Sequence, residues 1–390
     1  MHPAIVSLAS GGLIFRALRG VGAASAEEVR PARSILLLVL LTWVPLVVLA
    51  ALEGTLTGSA VEVPLLRDPA VHARLLVALP LLIVADVVVS RAAQAILQLI
   101  RQRRLLDDAE VPALEAALDR LVRDRDSLAI ELLIMALVVT VLWLGRHTLL
   151  ADRLAAHSSW LGTAGAEPVL SRAGWWYFVV SLFISSVLAL RWAWWLFIWS
   201  RFVVGFLRPR LVVSPGHPDQ HGGLSFLTLA QGAFAPVFAA LAATVAGRLA
   251  YEMLHEGAPL AAAKGPAVVV LVVALLAMYA PLLFFIGRMG PIKRRALMGY
   301  DALGQQLVGN FEQKWLGAER TSEPLLGNAD PSTLADFTTS YGSVRLMKPM
   351  PLDIRRMVPA LLVVMLPFVP LALMVMSLAD VLKRMMKLLV

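Results

Sequence analysis

No cysteine occurs anywhere in the 390 residues. That single absence removes disulfides, thiolate zinc sites, iron–sulfur clusters and c-type haem attachment. Charge is scarce as well: Asp, Glu, Lys and Arg make up 16% of the chain, against roughly 25% in soluble domains. No GxxxxGK[ST] loop is present, which argues against work driven directly by ATP. The first apolar run, Ala4 to Phe15, has no charged segment before it, so a cleaved signal peptide is not expected. Ile5, Leu8, Leu13 and Phe15 are expected instead to anchor a short interfacial helix.

What the chain has in excess is apolar surface: 59% of residues are hydrophobic and the mean hydropathy is +0.75. It collects in blocks of about 20 residues, the length that crosses a hydrocarbon core of roughly 30 Å as helix. Seven such spans lie at about 35–52, 74–93, 128–145, 175–195, 226–248, 266–286 and 357–378. The fold class they predict is all-α, a polytopic transmembrane helical bundle. Segments 1–34, 91–127, 200–225 and 287–356 carry 24 Lys and Arg, and the connections on the other face carry 7. That asymmetry predicts a cytoplasmic N-terminus. It also accounts for the net charge of +8 through arginines at membrane edges, so the partner is the lipid bilayer and not nucleic acid.

The chain divides into an N-terminal segment 1–34, a bundle over 35–286, a cytoplasmic helical region 287–356 and a last Pro-rich segment 357–390. Within the bundle, residues 94–127 read as a cytoplasmic helical hairpin turning at Asp107–Pro112. Its return leg places Val111, Leu114, Leu118, Leu121, Arg125 and Leu128 at steps of three and four, a coiled-coil-like stripe. The 287–356 region predicts a helix over Pro291–Trp315, a linker, and a second helix with Asp330 as N-cap and Pro331 at its first position. Regions 94–127 and 287–356 are the surfaces for a second copy of the chain or a cytoplasmic protein partner. Pro359, Pro367 and Pro370 interrupt the final segment, and Lys383, Arg384 and Lys387 follow it. Two arrangements fit: a full seventh crossing, or a broken helix that re-enters and returns. An amphipathic helix over Leu378–Val390 is expected in both.

Among the charged residues within the spans, Asp86, Glu131 and Arg191 stand out. Asp86 lies near the middle of the second, where an isolated carboxylate costs roughly 2.5–3.5 kcal/mol and needs a partner. Glu131 is equidistant from the hairpin tip, so the two carboxylates fall at similar depth, and Arg91 falls near Asp126. Two close carboxylates in a low dielectric do not both ionise, and one keeping a proton is what a proton relay or cation site requires. The alternative is that the helices splay and each carboxylate finds its own partner. Arg191 precedes Trp192, Trp194, Trp195 and Trp199. It either snorkels to headgroups within an inner aromatic belt or bridges to Asp86. Trp175, Trp176 and Tyr177 read as the outer belt.

Between the fourth and fifth spans runs Ser214-Pro-Gly-His-Pro-Asp-Gln-His-Gly-Gly-Leu224. On an extended backbone His217, Asp219 and His221 share one side, a ligand set suited to a divalent metal such as zinc or manganese. No other cofactor is predicted. Alternatively, the free N–H groups of Gly222 and Gly223, with Arg208 and Arg210 nearby, form an anion or lipid-headgroup site. A third reading is structural: Pro and Gly set a tight turn that Asp219 caps. His217-Pro218-Asp219 followed by Gly222-Gly223-Leu224 resembles the HPDxxGGL signature of a family of uncharacterised bacterial polytopic membrane proteins. Tyr300–Trp315 and the Pro-rich last span are similar to that family too. The resemblance implies a bacterial inner-membrane location and no activity, and it gives His217 and Asp219 more weight than His221.

Three functions are open at this point. A transporter or channel would use the intramembrane carboxylates. A scaffold or sensor would bind a partner through its cytoplasmic helices. A membrane-embedded enzyme would act on a lipid or phosphorylated group at His217 and Asp219, and would need further groups that the sequence does not show.

Overall fold

The computed structural model describes residues 31–154, 158–163, 169–317, 322–325 and 327–374. The expected N-terminal anchors and the helix over 378–390 lie outside them. Among the described residues seven helices are long and apolar enough to cross a membrane, and the chain is a multi-pass membrane protein. In chain order the helices are α1 (Ala32–Leu52), α2 (Pro69–Gln102), α3 (Val111–Arg125), α4 (Leu128–Leu154), α5 (Arg172–Arg210) and α6 (Phe226–His255). They are followed by α7 (Leu260–Leu283), α8 (Ile286–Trp315), α9 (Ala329–Leu346) and α10 (Ile354–Leu373). A two-residue antiparallel ribbon, Gly162–Thr163 with Val169–Leu170, marks one end of the bundle. The α2–α3 turn marks the other. These are called the ribbon end and the hairpin end.

Helix α6 is the axis. It packs against α2, α7 and α10 and is the most buried of the seven, whereas α4 rides on the rim against α5. Alanines make the axis thin: Ala239, Ala240, Ala242, Ala243 and Ala246 are all buried. Where α2 begins, the approach is closest. A Cβ added to Gly247 would lie 2.4 Å from the Ala73 Cβ and 3.0 Å from the Pro69 carbonyl oxygen. In lipid the association of helices relies on such small-residue packing, since apolar area alone distinguishes no partner.

Prolines within the spans are tolerated because neighbours take up the carbonyls they release. Pro45 offers no N–H to the Leu41 carbonyl, which accepts instead from the Trp176 indole at 3.3 Å. The next carbonyl, Thr42, accepts from the Ser181 hydroxyl at 2.7 Å. At the ribbon end the Asp68 carboxylate caps α2. It accepts from the Ala70 and Val71 N–H groups and from the indole of the fully buried Trp160.

Several expectations need correction. The stripe Leu114, Leu118, Leu121 is buried, but it faces the overrun of α5 rather than coiling on α2. Polar ties fix that choice: Trp194 Nε1 donates to the Asp124 carbonyl at 3.1 Å, Arg201 pairs with Asp124, and Arg210 with Glu110 at 2.8 Å. Trp192, Trp195 and Trp199 form no inner belt. They are 6%, 4% and 4% exposed and belong to the core. Helix α8 starts at Ile286 and runs through Pro291. Helix α9 is capped by Asn328, which frees Asp330 to accept from Lys314 and Trp315 and clip α9 to α8. Of the two arrangements that fit the last segment, the described part of α10 follows the crossing. A short 3-10 break at Leu366–Phe368 absorbs Pro367, and Leu371 then packs with Ala246, Leu249 and Ala263 at the ribbon end.

The Gly247 contact makes a prediction. Gly247→Ala should lower stability by about 1–3 kcal/mol, the usual cost of overpacking, seen as a lower thermal unfolding midpoint in detergent. An unchanged midpoint would show that α2 and α6 are not in close contact there.

Candidate functional site

Three helices deliver one ionisable side chain each to the interior. Asp86 of α2 is 1% exposed and Glu131 of α4 is 6% exposed. Arg191 of α5 places Nη1 3.9 Å from Glu131 Oε1. Glu131, Arg125, Asp126 and Asp86 are the charges close enough to act on Arg191. Asp86 also accepts from the Ser90 hydroxyl, one turn along α2, at 3.3 Å. Arg191 thus turns inward to Glu131 instead of snorkelling. The expected Arg91–Asp126 pair is replaced: Arg125 holds Asp126 at 2.6 and 2.8 Å, and Arg91 is exposed.

Next to this group, but separated from it by Trp192, lies open space. Trp192 donates its indole N–H to the Leu82 carbonyl at 2.9 Å, one turn from Asp86, and so closes the wall between them. On its far side a cavity of about 620 Å³ lies between α5 and the α2–α6–α7 wall. A second cavity of similar volume, about 620 Å³, lies toward the ribbon end, and Arg74 and Thr244 line both. Sequence reasoning missed these spaces. Their only signal was a run of small residues, Ala78, Ala189, Ala193, Ala240 and Ala277, on faces of four different helices.

The His217–Leu224 loop is a folded knot, not an extended strand. Gln220, Gly222 and Gly223 all have positive φ (58°, 64° and 86°), so the backbone coils; it brings His217 Nδ1 to 3.0 Å from Asp219 Oδ1 but turns His221 away onto carbonyls. His221 turns both ring nitrogens onto carbonyls: Nε2 lies 3.0 Å from the Leu352 oxygen and Nδ1 2.5 Å from the Asp219 oxygen. His217 Nδ1 accepts from the Asp219 N–H at 3.2 Å. Among the described residues, no three His, Asp or Glu side chains are placed to hold a metal ion. Of the two glycine N–H groups offered to an outside anion, that of Gly223 is taken by Asp219. Asp219 accepts from His221 at 2.8 Å, Gly223 at 3.0 Å and Ser225 at 3.1 Å. Arg208 reaches the Phe284 carbonyl and Arg210 is engaged by Glu110. Gly222 has no room for a side chain, because its Cβ would lie 2.6 Å from Val213 Cγ1.

What the knot does is dock the segment leading into α10. Lys348 N–H donates to the Gln220 carbonyl at 2.7 Å. Thr228 donates to the Pro351 carbonyl at 2.7 Å and accepts from the Asp353 N–H at 3.0 Å. Asp219 is the centre of it. Burial pushes its carboxyl up, but the N–H groups of Gly223, His221 and Ser225 and the Ser225 hydroxyl outweigh that and hold it at about 2.

No family model, curated protein or solved structure matches this chain.

The Asp219 carboxyl titrates lower in the folded protein than its unfolded value of about 3.9. Its contribution is therefore complete above about pH 4 and is lost as the pH falls toward about 2. Asp219→Ala, which leaves three N–H groups without their acceptor, should cost about 1–3 kcal/mol at pH 7. Thermal unfolding of wild type and variant should converge as the pH drops below about 4. A difference independent of pH would remove the charged carboxylate from this role.

Proposed function

We propose that the chain is a carrier or channel of the bacterial inner membrane whose proton- or cation-binding element is the Asp86–Glu131–Arg191 group. One observation carries the reading. Glu131 and Arg191 approach to 3.9 Å and Asp86 lies buried within the field of that arginine, three ionisable side chains from three separate helices of a bundle with the length and composition to cross lipid. A buried carboxylate in a low dielectric can take up and release a proton or bind a cation, and that gain and loss of charge is the elementary step of ion-coupled transport. Such residues are rare in spans because of what they cost there, which gives a functional role precedence. The cytoplasmic placement of the hairpin end follows from the Lys and Arg asymmetry, and the inner-membrane assignment from the HPDxxGGL resemblance.

The proposal is tested in proteoliposomes by following internal pH and membrane current. Wild type should conduct protons or a monovalent cation, and Asp86→Asn and Glu131→Gln should each lower that flux at least tenfold with folding intact. Wild-type vesicles without proton or cation flux would overturn the proposal. They would favour a docking protein, a reading supported by Met298, Leu303 and Val308, which α8 leaves in the open.

A further inference from the structure

The two cavities that meet at Arg74 are shaped for a lipid chain. Along α5 the lining of the larger one runs from Ser185 to Ser200, fifteen residues or about 22 Å of helix. That is a slot longer than one leaflet's share, about 15 Å, of the hydrocarbon core. Its width comes from small side chains, and α5 meets α7 over only a short stretch, so the slot lies along a loose seam between helices. The walls are apolar in effect. The Ser185 and Thr244 hydroxyls are spent on the Leu182 and Ala240 carbonyls of their own helices, at 3.1 and 3.0 Å. In a bilayer an apolar slot of this kind is filled by what surrounds it, which is acyl chain.

Arg74 supplies the other half of an amphiphile's chemistry. It lies five residues into α2, at the ribbon end, and lines both cavities. Its Nε is buried and has no hydrogen-bond partner among the described residues. The neighbouring cation is not in that condition: Arg248 is paired with Glu252 at 2.7 Å and with Glu256 at 3.7 Å. The backbone around Arg74 is π-helical over Ala73–Ala78, and Tyr177–Leu182, which borders the second cavity, is π-helical too. Wide turns of this kind gather at functional sites, because they re-aim side chains that an α-helix would stack. A guanidinium with a free N–H at the mouth of an apolar slot suits a carboxylate or phosphate oxygen.

We infer that this slot binds one acyl chain of an anionic amphiphile from the ribbon-end leaflet, with Arg74 holding the headgroup. Occupancy of the slot does not depend on whether the buried charges near Trp192 carry an ion. The Trp192 wall keeps the chain on the apolar side.

The test uses the full chain in phosphatidylcholine vesicles with a diazirine-bearing palmitic acid, its labelling sites mapped by peptide mass spectrometry. Labelling should concentrate on slot residues such as Leu196 and Leu241 and should be competed away by unlabelled palmitate. Ala193→Trp, which fills the slot, should abolish it, while Val139→Trp on the exposed face of α4 should leave it unchanged. Arg74→Gln should weaken the acid about tenfold, the scale of one lost charge-assisted hydrogen bond, and should leave the matching long-chain alcohol unaffected. Labelling spread evenly around the lipid-facing surface, or not competed by palmitate in the wild type, would overturn the site. Equal loss of acid and alcohol in Arg74→Gln would overturn the assignment of the headgroup. Because the competition arm uses unaltered protein, a misfolded variant cannot mimic the first result, and a thermal unfolding midpoint of Arg74→Gln equal to wild type separates the second from misfolding.

Discussion

Hydrocarbon offers a charge nothing to bind, so every ionisable group inside the bundle must find its partner in the protein. That constraint ties α2, α4 and α5 together. Helix α4 is the least buried of the seven spans, and its apolar contact with α5 is limited to a small cluster around Ile134, Val138 and Val187. Glu131, facing Arg191, gives this rim helix a fixed rotation that apolar packing against lipid-like neighbours would not. Asp86, beside Ser90 and within the field of Arg191, does the same for α2. The Trp192 bond to the Leu82 carbonyl then fixes the depth of α5 against α2 one turn away.

The two ends of the bundle use polar groups differently. At the ribbon end they cap and staple: Asp68 on Trp160, Ser171 on the Trp160 carbonyl and Glu53 on the Arg172 N–H. At the hairpin end a single loop binds the segment before α10, and Lys293 adds a bond to the Met347 carbonyl at 2.6 Å. Helix α10 therefore reaches the core as the continuation of a docked strap. Beyond the strap, α8 and α9 lie antiparallel, joined by Tyr300 stacking on Phe337 and by the Tyr341–Asp301 hydrogen bond. The Asp301 carboxylate pushes the Tyr341 phenol up.

Period and length were enough to read the spans. A run of 20 apolar residues has few ways to fold in lipid, and all seven fall where hydropathy puts them. Direction was not legible. Arg191 and the tryptophans beside it have the composition of an interfacial belt, and only the packing of α5 against α2 and α3 turns Trp192, Trp195 and Trp199 inward. The loop ligands failed for a backbone reason. Alternation places His217, Asp219 and His221 together only on an extended chain, and Gln220 with two glycines at positive φ coils it. The cavities had no signature of their own, since a void is made by what four distant helices each omit.

A double-mutant cycle tests directly whether Arg191 is bound to Glu131. Arg191→Gln alone removes the guanidinium that faces Glu131 and should destabilise the bundle in thermal unfolding. Adding Glu131→Gln to it should recover part of the loss, with a coupling of about 0.5–3 kcal/mol between the two positions. If the two losses simply add, the carboxylate and the guanidinium do not interact, and the buried charges are separate structural contacts and not one site.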